Sequence, residues 1–207
     1  IYQRMVARWP ENQGHVWNAA VGGAMADTLP DQAAEALAQV PHPRLTVIET
    51  VDNDLNCPID DSAYTAFRLN VDRTLKALAT ASPGGRIFIL LYPSNVAESF
   101  ANDRRLALGD PQALADITGR PPCMQLDVQH RVQQKSVDYL TREVERFDAE
   151  LVQACSQYAT CFTDQGHELG FRVPPGGVSS DNNHMSVTGH AALAAYLWPL
   201  VEKRLSS

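Results

Sequence analysis

The stretch Arg86-Ile87-Phe88-Ile89-Leu90-Leu91-Tyr92 decides the fold class of this chain. Its central residues are all apolar, and an unbroken apolar run of this length is typical of a strand that is covered on both faces. Such strands belong to parallel sheets, because the crossover helices of a parallel sheet lie on its two faces. The run therefore predicts a parallel α/β sheet.

Helical and strand-like segments alternate on both sides of this run. The β-branched stretch 45–50 and the short stretch 159–163 predict further strands, and the apolar run 15–21 predicts a strand that ends at Gly22-Gly23. Helical spacing of apolar residues is found over 1–9, 30–40, 60–81, 136–158 and 191–204. The alternation predicts a three-layer doubly wound α/β domain. The irregular stretch 93–134, broken by proline and glycine, is expected to lie over the site.

Size and charge limit the function further. With 207 residues, 44% of them hydrophobic, residues 1–207 are expected to form a single domain. A net charge of -7 argues against nucleic acid or an anionic membrane as a partner and favours a small neutral substrate. No apolar run approaches the roughly 20 residues needed to span a bilayer, so no integral membrane segment is expected.

The cysteines predict disulfides. Their number is even, and none is spaced like a zinc site or a redox pair. We predict the bonds Cys57–Cys123 and Cys155–Cys161, the second across a tight turn between a helix and a strand. This pairing implies secretion or location in the cell envelope, whereas four buried thiols in a cytosolic protein are the alternative.

Catalytic residues of open α/β sheets gather beyond the carboxyl ends of the strands, so the loops that follow the predicted strands are the expected location of a site. In the loop 18–24 the paired glycines leave the backbone open to a ligand, although Gly-Gly is also common in plain turns. The loop Val51-Asp52-Asn53-Asp54 holds an amide between two carboxylates. Asn53 can donate to a developing oxyanion, and an Asx turn is the alternative.

The loop 181–190 carries the strongest signal. Asp181 lies three residues before His184, so its carboxylate can accept the imidazole Nδ1 proton and leave Nε2 as a general base. A helix cap beside an exposed histidine is the alternative explanation of this spacing.

Together the three loops resemble, in order and spacing, the conserved blocks of the SGNH/GDSL superfamily of serine esterases and lipases. The resemblance covers essentially the whole chain and implies a flavodoxin-like SGNH hydrolase fold. It assigns Gly23 and Asn53 to the oxyanion hole, His184 to the base and Asp181 to its orientation. Ser186 and Gly189 follow His184 as they do in the family.

Two features depart from the family pattern. Val51 stands where the family has glycine, and the Gly-Asp-Ser block with the nucleophilic serine is missing. In the family that block ends the first strand of the sheet, shortly before the helix that here spans 1–9. We therefore expect a preceding segment of about 20 to 40 residues that supplies the first strand and the serine.

The resemblance implies hydrolysis of carboxylic esters through an acyl-enzyme, with a small-molecule ester or lipid as substrate and with no metal or organic cofactor. An acyltransferase using the same site and a non-catalytic binding module with an SGNH-like pocket are the alternatives. A flavodoxin-like nucleotide or flavin binder is disfavoured, because the chain has no glycine-rich phosphate loop.

Overall fold

The computed structural model describes residues 1–55, 57–92, 122–127, 129, 131–180 and 184–206. Within these residues the chain has an α/β architecture. The strands are β1 (Leu45–Glu49), β2 (Arg86–Leu90) and β3 (Cys161–Thr163). The helices are α1 (Tyr2–Arg8), α2 (Leu29–Gln39), α3 (Asp61–Ala81), α4 (Gln134–Cys155) and α5 (Val187–Leu205). None of these helices combines the length and the apolar character that crossing a membrane requires.

The three strands form one open parallel sheet in the order β1-β2-β3. Val47 of β1 lies opposite Phe88 of β2, and Phe88 lies opposite Phe162 of β3. The apolar strand β2 is thus central, with a neighbour on each side, and residues 87–90 are all buried. The prediction of a buried parallel strand is confirmed.

The sheet carries one apolar core on each face, as a parallel sheet requires. On the first face Ile48, Ile87 and Ile89 pack with residues of α3 and α4. On the second face Phe88 and Leu90 pack with residues of β3 and α5. Because successive strand residues point to opposite faces, a single run of apolar residues supplies both cores.

Helix α3 shows how the sequence builds one of these faces. The carboxylate of Asp60 accepts hydrogen bonds from the backbone N–H groups of Ser62 and Ala63, which caps the first turn. Apolar residues then recur every three or four positions, so they form one buried stripe against the sheet. The members of the stripe are Tyr64, Phe67, Val71, Leu75 and Leu78.

One region differs from its prediction, and another lies largely outside the described residues. The stretch 15–21 was expected to form a strand, but the structure shows irregular, largely exposed chain there. A strand needs a hydrogen-bonding neighbour, and no described strand runs beside these residues. Most of the stretch 93–134 lies outside the described residues, so its expected role over the site stays a prediction.

The cysteines are paired as predicted. Cys57 and Cys123 are joined with a Cα–Cα distance of 6.0 Å, and Cys155 and Cys161 with 5.3 Å. The first bond ties the loop after β1 to the segment 122–127, and the second ties the end of α4 to β3. Disulfides of this kind are typical of proteins from oxidising, extracellular compartments.

Candidate functional site

Asn53 lies in a tight turn at the carboxyl end of β1. Residues 52–54 form a single 3₁₀ turn, and the N–H of Asp54 donates to the carbonyl oxygen of Val51 at 2.8 Å. Val51 is buried and has φ of 100°, a conformation that glycine adopts readily and a β-branched residue rarely. Backbone strain of this kind costs on the order of 1–3 kcal/mol and persists only where the surroundings hold it.

Gly23 lies in the candidate loop 18–24 and has φ of 75°. A Cβ atom built on this residue would meet no atom within 4 Å, so the space around it is open. The glycine is needed here for its backbone conformation, because L side chains rarely adopt this φ. An approaching ligand therefore meets exposed backbone at this loop.

Direct hydrogen bonds hold these two loops together. The side-chain nitrogen of Asn53 donates to the carbonyl oxygen of Ala24 at 3.1 Å. The N–H of Ala26 donates to both carboxylate oxygens of Asp54, at 3.1 and 3.2 Å. Burial raises the pKa of Asp54, and the hydrogen bond from Ala26 opposes this rise. These bonds place the turn that carries Asn53 against the loop that carries Gly23, and an oxyanion hole formed by the two residues stays a prediction.

His184 lies in the loop that leads into α5, and its residue is exposed. Its carbonyl oxygen accepts a hydrogen bond from Ser179 N–H at 2.8 Å, and the next residue forms an isolated bridge with Val178. Asp181 lies outside the described residues, so the Asp181–His184 pair stays a prediction.

Ser186 and Gly189, which follow His184, have clear structural roles. The hydroxyl of Ser186 accepts the N–H of Gly189, which caps α5, and donates to the carbonyl oxygen of Gly176 at 2.6 Å. A Cβ on Gly189 would collide with the backbone of Gly177. These two residues therefore fix the end of α5 that follows the His184 loop.

The first turns of α5 lie near the carboxyl end of β1. Desolvation raises the pKa of the carboxyl group of Glu49, the last residue of β1, and the nearby imidazole of His190 opposes this rise. Glu49 is exposed, so this residue is not part of the core. His190 lies six residues after His184, and the position of the His184 imidazole relative to Asn53 stays a prediction.

Hydrogen bonds near the carboxyl ends of β2 and β3 involve three residues that the sequence did not predict, namely Tyr92, Asp148 and Asp164. The N–H of Leu91 donates to Asp164 Oδ1, and the N–H of Tyr92 donates to Asp148 Oδ1, both at 2.9 Å. The Tyr92 hydroxyl donates to Asp52 Oδ1, also at 2.9 Å.

A sequence signal was present for Asp148. It lies four residues after buried Val144 and three before buried Leu151, on the apolar side of α4.

We predict that Asp148→Asn stabilises the protein more strongly at high pH than at low pH. Burial raises the pKa of Asp148 to about 7, the Tyr92 N–H opposes the rise, and Asp164 adds to it. The folded state therefore holds this proton more tightly than the unfolded chain, so stability falls as pH rises from about 4 through 7. Asparagine keeps the acceptor oxygen for Tyr92 and carries no charge.

Urea unfolding at about pH 5 and about pH 8 measures this effect. The gain at the higher pH is expected to be about 1 to 3 kcal/mol, below the full value of the shift because Asp148 is only partly buried. Asp138→Asn, an exposed change on the same helix, is the matched control and changes stability equally at both pH values. An equal change at both pH values for Asp148→Asn would contradict the prediction.

The described residues were also compared with metal-binding arrangements and with known proteins. Within the described ranges, no group of three or more histidine, cysteine, aspartate or glutamate side chains is arranged to hold a metal ion. Comparison with known proteins finds no matching family model, no matching curated protein and no matching solved structure. The class that the fold defines is therefore a parallel α/β protein with hydrogen-bond donors at the carboxyl end of β1.

Proposed function

We propose that this chain forms most of a serine esterase of the SGNH/GDSL type, which hydrolyses carboxylic esters through an acyl-enzyme. The observation that carries the proposal is the 3.1 Å hydrogen bond from Asn53 to Ala24, beside Gly23. It joins an amide donor and an open glycine backbone at one end of a parallel sheet, where active sites of such sheets lie. Two donors in one place suit a carbonyl oxygen that gains negative charge.

The open edge of β1 supports the proposed position of the nucleophile. Among the residues that the structure describes, β1 has a strand neighbour only on its β2 side. Val47 of β1 is 46% exposed. Folded proteins normally cover or pair the open edge of a strand. A further parallel strand would pair with β1 at this edge and extend the sheet of a three-layer doubly wound domain.

Such a strand would end beside Asn53 and Gly23, because the carboxyl ends of parallel strands meet at one edge of a sheet. We place the nucleophilic serine at that end, on a segment that precedes Ile1. This position is where the SGNH resemblance expects the Gly-Asp-Ser block. The open edge of β1 supports a further strand at this place, and its position before Ile1 rests on the resemblance.

The chemistry then proceeds in two balanced steps. The serine oxygen attacks the ester carbonyl while Nε2 of His184 takes its proton, and the oxyanion is met by the serine N–H, the Gly23 N–H and Asn53. His184 returns the proton to the leaving alcohol as the C–O bond breaks. Water, deprotonated by Nε2 of His184, then attacks the acyl-serine, and His184 returns the proton to the serine oxygen as the bond breaks and the acid leaves. Asp181 holds the imidazole in the required tautomer.

The substrate is a small neutral ester or a lipid ester. The net charge of -7 disfavours an anionic partner, and the donors proposed at Gly23 and Asn53 suit the carbonyl oxygen of an ester. The two disulfides support a secreted or cell-envelope location.

Labelling with a fluorophosphonate tests the proposal. The 207-residue chain and the full gene product are each treated, digested and analysed by mass spectrometry. Stoichiometric labelling of one serine before Ile1, in the full product alone, is the expected result. Labelling of a serine within 1–207 would overturn the placement of the nucleophile, and no labelling of either protein would favour a non-catalytic binding module.

A further inference from the structure

Tyr92, the second residue after β2, is bonded to the turn that carries Asn53. Its hydroxyl donates to Oδ1 of Asp52, the first residue of that turn, at 2.9 Å. This bond is separate from those that Asn53 and Asp54 make to residues 24–26. Asp52 therefore ties the turn to the segment that follows β2, and Asn53 and Asp54 tie it to residues 24–26.

Tyr92 is itself held firmly. Its N–H is bound by Asp148 of α4, and the N–H of the preceding Leu91 is bound by Asp164, which follows β3. Asp164 is fully buried, and the ring of Tyr92 packs against the core formed by α3 and α4. Two separate elements thus anchor the backbone of Tyr92, so the place of its hydroxyl is set by the central sheet.

We propose that Tyr92 is a positioning residue that orients Asn53 through Asp52. The inference rests on the proposed esterase function. There the amide N–H of Asn53 must donate to the oxyanion of the transition state rather than to the carbonyl oxygen of the unreacted ester. Such a donor is effective only when it is held in place beforehand, and a displacement of about 1 Å costs a large part of its effect. Asp52 is exposed, so the Tyr92 hydroxyl restrains it where the core does not.

The test is Tyr92→Phe in the full gene product, with turnover of a short p-nitrophenyl ester as the assay. Phenylalanine keeps the ring packing and removes only the hydroxyl. We expect kcat to fall roughly 5- to 20-fold, the equivalent of one lost hydrogen bond, with KM nearly unchanged. Asp52→Ala should lower kcat by a similar factor. The kcat of the double variant should be no lower than that of the less active single variant, because both changes remove the same hydrogen bond.

Conservative and matched variants separate this role from general damage. Asp52→Asn keeps an acceptor oxygen and should lose less activity than Asp52→Ala. Tyr2→Phe is the matched control, because it also removes a hydrogen-bonded tyrosine hydroxyl. The Tyr2 hydroxyl accepts from Gly14 N–H at 2.7 Å, and its loss should leave kcat unchanged. A fall in kcat for Tyr2→Phe equal to that for Tyr92→Phe would overturn the inference.

His184→Ala, assayed in parallel, distinguishes the two proposals. If His184→Ala is inactive while Tyr92→Phe keeps the parent kcat, the positioning role is wrong and the esterase proposal stands. If neither the parent protein nor His184→Ala turns over the ester, the proposed function itself fails. A rise in KM for Tyr92→Phe at constant kcat would also contradict the positioning role, because it would indicate a contact to the substrate.

Discussion

His184→Ala in the full gene product is expected to lower ester turnover by roughly 10⁴- to 10⁶-fold, which leaves no measurable activity in an ordinary assay. The proposed mechanism uses this imidazole twice in each half-reaction, first as base and then as acid, and alanine can do neither. The Ser186 cap and the close approach of Gly189 hold the loop independently of the imidazole. The measurement is kcat with a short p-nitrophenyl ester.

The fold should survive this change. His184 is exposed, so its replacement should alter the unfolding free energy by less than about 0.5 kcal/mol. His42→Ala is the matched control, since His42 is also exposed and its ring bonds to a backbone carbonyl, that of Ala81, at 2.8 Å. The control should keep the parent kcat. Parent-like turnover by His184→Ala would mean that another group is the base.

Asn53→Ala is expected to lower kcat roughly 10²- to 10³-fold with little change in KM. An oxyanion donor contributes mainly in the transition state, so its loss appears in kcat. Asn53 also bonds to Ala24, and a side-chain amide nitrogen carries two hydrogens, so one donor role does not exclude the other. Loss of the Ala24 bond should cost about 1 kcal/mol of stability.

Asn12→Ala provides the control for that structural part. The amide of Asn12 also donates to a backbone carbonyl, that of Trp9 at 2.8 Å, but lies beside α1. Its replacement should reduce stability by a similar amount and leave kcat unchanged. If Asn53→Ala changed KM alone, Asn53 would be a substrate-binding or structural residue rather than an oxyanion donor.

Local sequence patterns were sufficient for the three described strands and most of the helices. The apolar run 87–91 predicted the buried central strand, because an unbroken apolar run of this length is typical of a strand covered on both faces. The cysteine pairs also agree with the structure. The strand expected at 15–21 did not form, since a strand depends on a neighbour that the pattern of its own residues cannot supply.

The candidate site shows the same division. The sequence by itself determined that Asn53 lies after a strand and that His184 lies before the last helix, whereas the strand predicted before Gly23 did not form. Only the tertiary structure decided that Asn53 bonds to Ala24 and that Tyr92 bonds to Asp52. These contacts join residues 29 and 40 positions apart, and no local periodicity encodes such pairs. Their partners are set by the order and register of the parallel strands, because the sheet brings the ends of distant segments to one edge.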